Sequence, residues 1–158
     1  MENAASDASG KSGRREVFFE LPTCRRMLPL VRRIVQEIRE TQTRLGRMRP
    51  EREGLDRDRR ELSWPERSRR YQLQEEIAAA ERQLGQVLAE LEQLGVVLVD
   101  TKAGWVGFPT IVNGRGAYFS WRPGEEEVRY WHFAGESVRR LIPRSWLHAE
   151  PAGKAGGS

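Results

Sequence analysis

Within twelve residues the chain carries Trp121, Arg122, Glu125, Trp131 and His132, a set of side chains that can hold and protonate a small anion. Histidine changes charge near neutral pH and can move a proton. Arginine offers a planar fork to carboxylate or phosphate oxygens, and two tryptophans would wall such a pocket. A structural reading uses the same residues differently: Arg122 and Glu125 bracket Pro123-Gly124 and lock a turn, while His132 caps a strand edge. A second set is electrostatic. Between residues 47 and 70, Arg47, Arg49, Arg52, Arg57, Arg59, Arg60, Arg67, Arg69 and Arg70 face six acids, a net +3. Phosphate binding, as on RNA, is the functional reading of such a run. A solvated, salt-bridged connection is the structural one, since the acids are interleaved.

Other chemistries find less support. Cys24 stands beside Arg25 and Arg26 at the expected start of a helix, where dipole and charge could lower a thiol pKa; the favoured reading is a small residue packed at a helix start. Ser120 lacks the flanking glycines of a nucleophile elbow. His132 and His148, the two histidines, share no ligand spacing with a carboxylate, so neither a metal nor another cofactor is expected.

Placing these residues requires two kinds of element. Met27, Val31, Ile34, Ile38, Thr41, Leu45 and Met48 recur at alternating spacings of four and three, as do Leu73, Ile77, Ala80, Leu84, Val87, Leu91 and Leu94. Each series makes one apolar seam of a helix, and together they predict a long, coiled-coil-like antiparallel hairpin over 23–95. Thr23 is the expected N-cap of the first helix, with a kink or late start at Pro29 and an end at Pro50 and Gly54. Ser63, Pro65 and Glu66 form a capping-box signature for the second, and Gly95 its left-handed stop.

Beyond Gly95 the period becomes extended. Val96–Val99 is apolar at every position and reads as a central or covered strand. Residues 105–112 and 115–122 flank Asn113-Gly114, the favoured pair of a type I′ turn, and Arg122–Glu125 turns the chain into Val128–Phe133. A three-strand meander results, to which residues 16–20 and 96–99 add strands. Residues 135–147 read as an irregular closing segment. Nine of the thirteen aromatics lie between Trp105 and Trp146, either as a platform for stacking bases or as the core under the hairpin's open end. Alternation puts Ala117, Phe119 and Trp121 on one face and Tyr118 and Ser120 on the other. In this α+β arrangement the sheet sits at the open end of the hairpin, and residues 49–63 lie at a tip roughly 35 Å away.

Composition bounds the rest. With 158 residues, 38% apolar and 32% charged, the chain has room for a single domain, expected over 15–148 between disordered tails at 1–14 and 149–158. There is no apolar run long enough to cross a membrane and no signal-like apolar stretch near Met1, so the cytoplasm is the expected address. A lone cysteine excludes a disulfide within the chain. Of 27 basic residues 24 are arginine, which fits phosphate binding and equally a GC-rich genome.

The segments FFELPTCRRMLPLVRRIV, ELEQLGVVLVD, GWVGFPTIVNGRGAYFSWRPGE and YWHF, in this order, resemble the bacterial family called domain of unknown function 2203 across residues 17–143. The most specific part is Trp121-Arg122-x-Gly124-Glu125 followed by Tyr130-Trp131-His132. The resemblance implies an uncharacterised protein and leaves activity open. Against that family's pattern, Gly107 stands where an aspartate is usual, Ser120 where a cysteine is common, and Val138-Arg139-Arg140 replaces a glycine-arginine element. These departures weigh against catalysis. The expected function is a non-catalytic interaction module that binds a protein or RNA through the hairpin arm or the sheet. The alternative is a small-ligand or enzymatic role at Trp121, Arg122, Glu125, Trp131 and His132, and a homodimer through the arm also remains open.

Overall fold

The computed structural model describes residues 18–147. Both expected tails, His148 and the first two residues of the expected 16–20 strand lie outside that range.

Two helices form the hairpin: α1 (Leu21–Arg57) and α2 (Trp64–Gln93). α1 begins earlier and ends later than its local signals suggest. Its N-cap is Glu20, with a proline in the first turn, where a missing N–H removes no helical hydrogen bond. Thr23 therefore lies inside the helix, its hydroxyl accepting from Arg26 rather than capping. The helix also runs through Pro29 and Pro50. Its last two turns are held from across the hairpin, by Glu51 paired with Arg69 and Asp56 with Arg70, so tertiary contacts outweigh the amide lost at Pro50.

α2 follows its signals closely. The Ser63 hydroxyl accepts from the Glu66 amide, and the Glu66 carboxylate accepts from the Ser63 amide. At the other end Gly95, with φ 85°, donates to Glu92 O while Val96 donates to Leu91 O, the paired bonds of a Schellman stop.

The sheet has five antiparallel strands in sequential order: β1 (Val97–Asp100), β2 (Trp105–Val112), β3 (Arg115–Trp121), β4 (Tyr130–Phe133) and β5 (Arg140–Leu141). Asn113 (φ 51°) and Gly114 (φ 75°) make the tight β2–β3 turn. Two expectations fail here. β1 is an edge strand, with Val97 and Val99 exposed and a bulge between Leu98 and Asp100; only Val96, at the helix–sheet junction, is fully covered. Residues 18–20 are not a strand. Phe19 makes a single backbone bond to Pro109 O and instead packs edge-on against Phe108. The closing segment adds β5, which continues the meander from β4, and a short 3₁₀ turn at Arg144–Leu147.

One face of the sheet is the floor of the main core. Val106, Phe108, Phe119, Trp121 and Trp131 meet Cys24, Leu28, Val31, Val35 and Ile38 of α1, and Val87 and Leu91 of α2. Further out the helices bury only each other, around Leu45, Ile77 and Ala80. From Ile38 to Arg57 α1 therefore extends about 28 Å beyond its last residue in the sheet core.

Candidate functional site

The residues with chemical potential fall in two places, the outer face of the sheet and the far half of the hairpin. On the sheet, pairing decides who meets whom. Phe119 lies opposite Trp131 and Tyr118 opposite His132, so Trp131 shares the buried face with Trp121 while His132 points to the other. The expected pocket is thus divided: Trp121 and Trp131 are core, and neither walls His132. Trp105 takes their place. Its ring lies 5.1 Å from the His132 ring and its indole N–H donates to the Ser120 hydroxyl. Tyr118 is the other ring neighbour, 5.4 Å from His132, and a Cβ at Gly107 would come within 3 Å of the Tyr118 ring, so the small residue is what lets Tyr118 lie across β2.

Arg122 and Glu125 do lock their turn. The Glu125 amide donates to Arg122 O, the Arg122 amide to Glu125 Oε1, and the Trp121 indole to Glu125 O. The remaining capacity of the carboxylate goes to Arg139, which the sequence marks only as part of the Val138-Arg139-Arg140 departure and not as a site residue. Its guanidinium donates to both Glu125 oxygens at 2.7 Å and its Nε donates to Ser120. Burial alone would raise the Glu125 pKa; the Arg139 fork, the Arg122 amide and the charges of both arginines outweigh it and hold the group below the usual carboxylate range. The places where the chain departs from the pattern of the family it resembles meet here, since Gly107 pairs with Ser120 and Arg139 bonds to it.

Two buried atoms on this face lack a hydrogen-bond partner among the described residues. The Arg122 guanidinium stacks 4.3 Å from the Trp105 ring centre, and its buried Nε makes no hydrogen bond. His132 is 2% exposed, its Nδ1 lies 3.0 Å from Phe133 O, and its Nε2 is buried without a partner. A carbonyl can only accept, so Nδ1 carries the proton. Among the described residues no group of three histidine, cysteine or acidic side chains could hold a metal. Cys24 is fully buried, and burial pushes its thiol far above the ordinary value against the opposing pull of its helix backbone and Arg25. The activated thiol is thereby set aside, and Cys24 is the packed residue that the sequence favoured.

On the arm, five of the nine arginines are tied down. Arg49 pairs with Glu81, Arg52 with Asp56, Arg69 with Glu51 and Glu76, and Arg70 with Asp56, while Arg67 donates to Leu62 O. The Arg69 hydrogen bonds hold Glu51 below its ordinary pKa. Arg47, Arg57, Arg59 and Arg60 make no side-chain hydrogen bond or ion pair among the described residues. At the same end of the arm as Arg57, Arg59 and Arg60 stand two aromatics that the apolar seams do not predict: Trp64, 76% exposed, and Tyr71, 65% exposed. The sequence does hold their signal. Both sit off the Leu73–Ile77 seam, seven residues apart on one side of α2.

A helical hairpin standing on an antiparallel meander, with an ion-paired turn on the outer sheet face, defines an α+β class. The chain belongs to the family described as uncharacterized conserved protein DUF2203, whose model matches residues 17–140. Comparison with curated proteins and with solved structures finds no match. No helix among the described residues is long and apolar enough to cross a membrane.

Proposed function

We propose that this protein is a non-catalytic interaction module whose projecting hairpin arm engages a macromolecular partner. One observation carries the reading: at the end of the arm farthest from the sheet core, Trp64 and Tyr71 stand exposed, and Arg57, Arg59 and Arg60 of the adjoining turn make no ion pair among the described residues. An exposed tryptophan near unspent arginines is the composition of a binding hot spot. Burial of Cys24 and the engagement of Glu125 by Arg139 weigh against chemistry at those two side chains.

Affinity capture of the tagged full chain from its own cells tests the reading, run beside a variant with Arg57, Arg59 and Arg60 all changed to Glu. The variant is expected to lose the partners, and His132→Ala to keep them. Equal capture by wild type and tip variant sinks the arm. A second reading rests on the buried Nε2 of His132 and Nε of Arg122, neither with a hydrogen-bond partner among the described residues, which would suit a small polar ligand on the outer sheet face. In that case His132→Ala abolishes ligand binding and the tip variant retains it.

A further inference from the structure

Resting on the arm as the interacting element, we infer that its partner is single-stranded RNA, with unpaired bases stacked on Trp64 and Tyr71 and phosphates held by Arg57, Arg59 and Arg60. The two rings are seven helical residues apart, about 10 Å along the axis of α2, and lie on one side of it. Between them the surface is Arg67 and Ser68, not an aliphatic patch. The large apolar side chains exposed among the described residues sort by position: Trp64 and Tyr71 on the arm, and Phe18, Leu30, Val97, Val99, Val138 and Leu141 at the sheet end. A protein interface draws on a contiguous apolar centre from which charge is depleted. Isolated aromatics set among arginines instead match a base-stacking platform beside a phosphate track, because every base has a π face and every linkage a charge.

The turn that leads into Trp64 supplies the cations. Residues 56–61 line an open concavity of about 890 Å³ in which Arg57, Arg59 and Arg60 alternate with Asp56, Asp58 and Glu61. Asp56 is already engaged by Arg70, while Asp58 and Glu61 temper the field. Charge alone therefore gives weak attraction here, and stacking must supply the discrimination. Unpaired loops and ends of RNA offer such bases; a duplex keeps them stacked on each other and hides their faces.

Fluorescence anisotropy with a labelled twelve-nucleotide RNA of mixed A and U, titrated with the full chain, tests this. Binding is expected, with a shallow salt dependence of about two in log–log slope for three phosphate contacts. Trp64→Ala should weaken it roughly 5- to 100-fold and Trp64→Phe should restore most of the loss. Tyr71→Ala, scored separately, should weaken it in the same sense. An RNA duplex of the same length should bind less tightly. Trp64→Ala binding as wild type does, tighter binding to duplex, or tighter binding to the matching single-stranded DNA would each overturn the proposal. If the RNA does not bind, yet the tip variant still loses its partner in affinity capture, RNA is wrong and the arm stands. If the tip variant loses nothing, the arm itself is wrong.

Discussion

The two ends of the hairpin use the same residue types to opposite effect. At the sheet end Trp121 and Trp131 are spent on packing, and Arg139 and Glu125 on each other, with side chains only 11% and 22% exposed. At the arm end Trp64 and Tyr71 face solvent and four arginines have no ion pair. The difference follows from what lies opposite. α1 and α2 have the sheet beneath them as far as Ile38 and Val87, but beyond that each helix has only the other, and one narrow seam consumes all the apolar surface a hairpin needs. Whatever stands off that seam on the arm remains available to a partner.

The largest effect should come from the floor of the core. Phe108 is fully buried between Phe19 and the helices, so Phe108→Ala should cost about 3–5 kcal/mol, read from chemical denaturation. Loss of less than about 1 kcal/mol would mean that the sheet is not the foundation on which the arm stands.

Next is the buried pair. Arg139→Ala leaves the Glu125 carboxylate partly buried with its fork gone, and should cost about 2–4 kcal/mol. Removing both charges, with Glu125→Gln added, should cost less than the sum of the single changes, which a double-mutant cycle reads directly. The pair also sets a pH dependence. Glu125 titrates below its ordinary 4.5 in the folded chain, so the folded state favours the charged form. Its stabilisation is therefore complete above that ordinary value and is lost as pH falls through the depressed one. The stability gap between wild type and Glu125→Gln should close on acidification. A gap that widens would reverse the sign assigned to the pair.

Smaller again is the cap at the tip. Ser63→Ala removes the hydroxyl that receives the Glu66 amide, and should cost about 1 kcal/mol. Ser63→Gly, which keeps the cap backbone permissive, should cost less.

What was legible in the sequence follows the same division. The hairpin was readable because a seven-residue repeat leaves no other fold for its apolar positions, and the meander because Asn113-Gly114 and Pro123-Gly124 fix its turns. Local signals failed where distant contacts took over. Pro50 reads as a helix end until Asp56 meets Arg70 across the hairpin, and Val96–Val99 reads as covered until the sheet's order puts it at an edge. The candidate site was half legible. Arg122, Glu125 and His132 share the outer region of the sheet, but the one-residue step from Trp131 to His132 puts Trp131, with Trp121, on the core face instead. Arg139 and Trp105 reach the site through pairing that no local spacing encodes.

The smallest stability effect carries the most information about function. Trp64 is the most exposed of the large apolar side chains on the described surface and stands in the first turn of α2, with its neighbour Ser63 already satisfied by Glu66. Trp64→Ala should therefore change folding stability by no more than about 0.5 kcal/mol. A tryptophan in a core costs several kcal/mol on the same change. If Trp64→Ala leaves the thermal midpoint in place while Phe108→Ala lowers it sharply, the arm's aromatics are free of any packing duty, and a loss of partner binding in the same variant can only be a loss of contact. If Trp64→Ala destabilises the chain as a core change does, then Trp64 is packed in solution, against the arm itself or against a second copy of it. The contrast between the two ends then collapses.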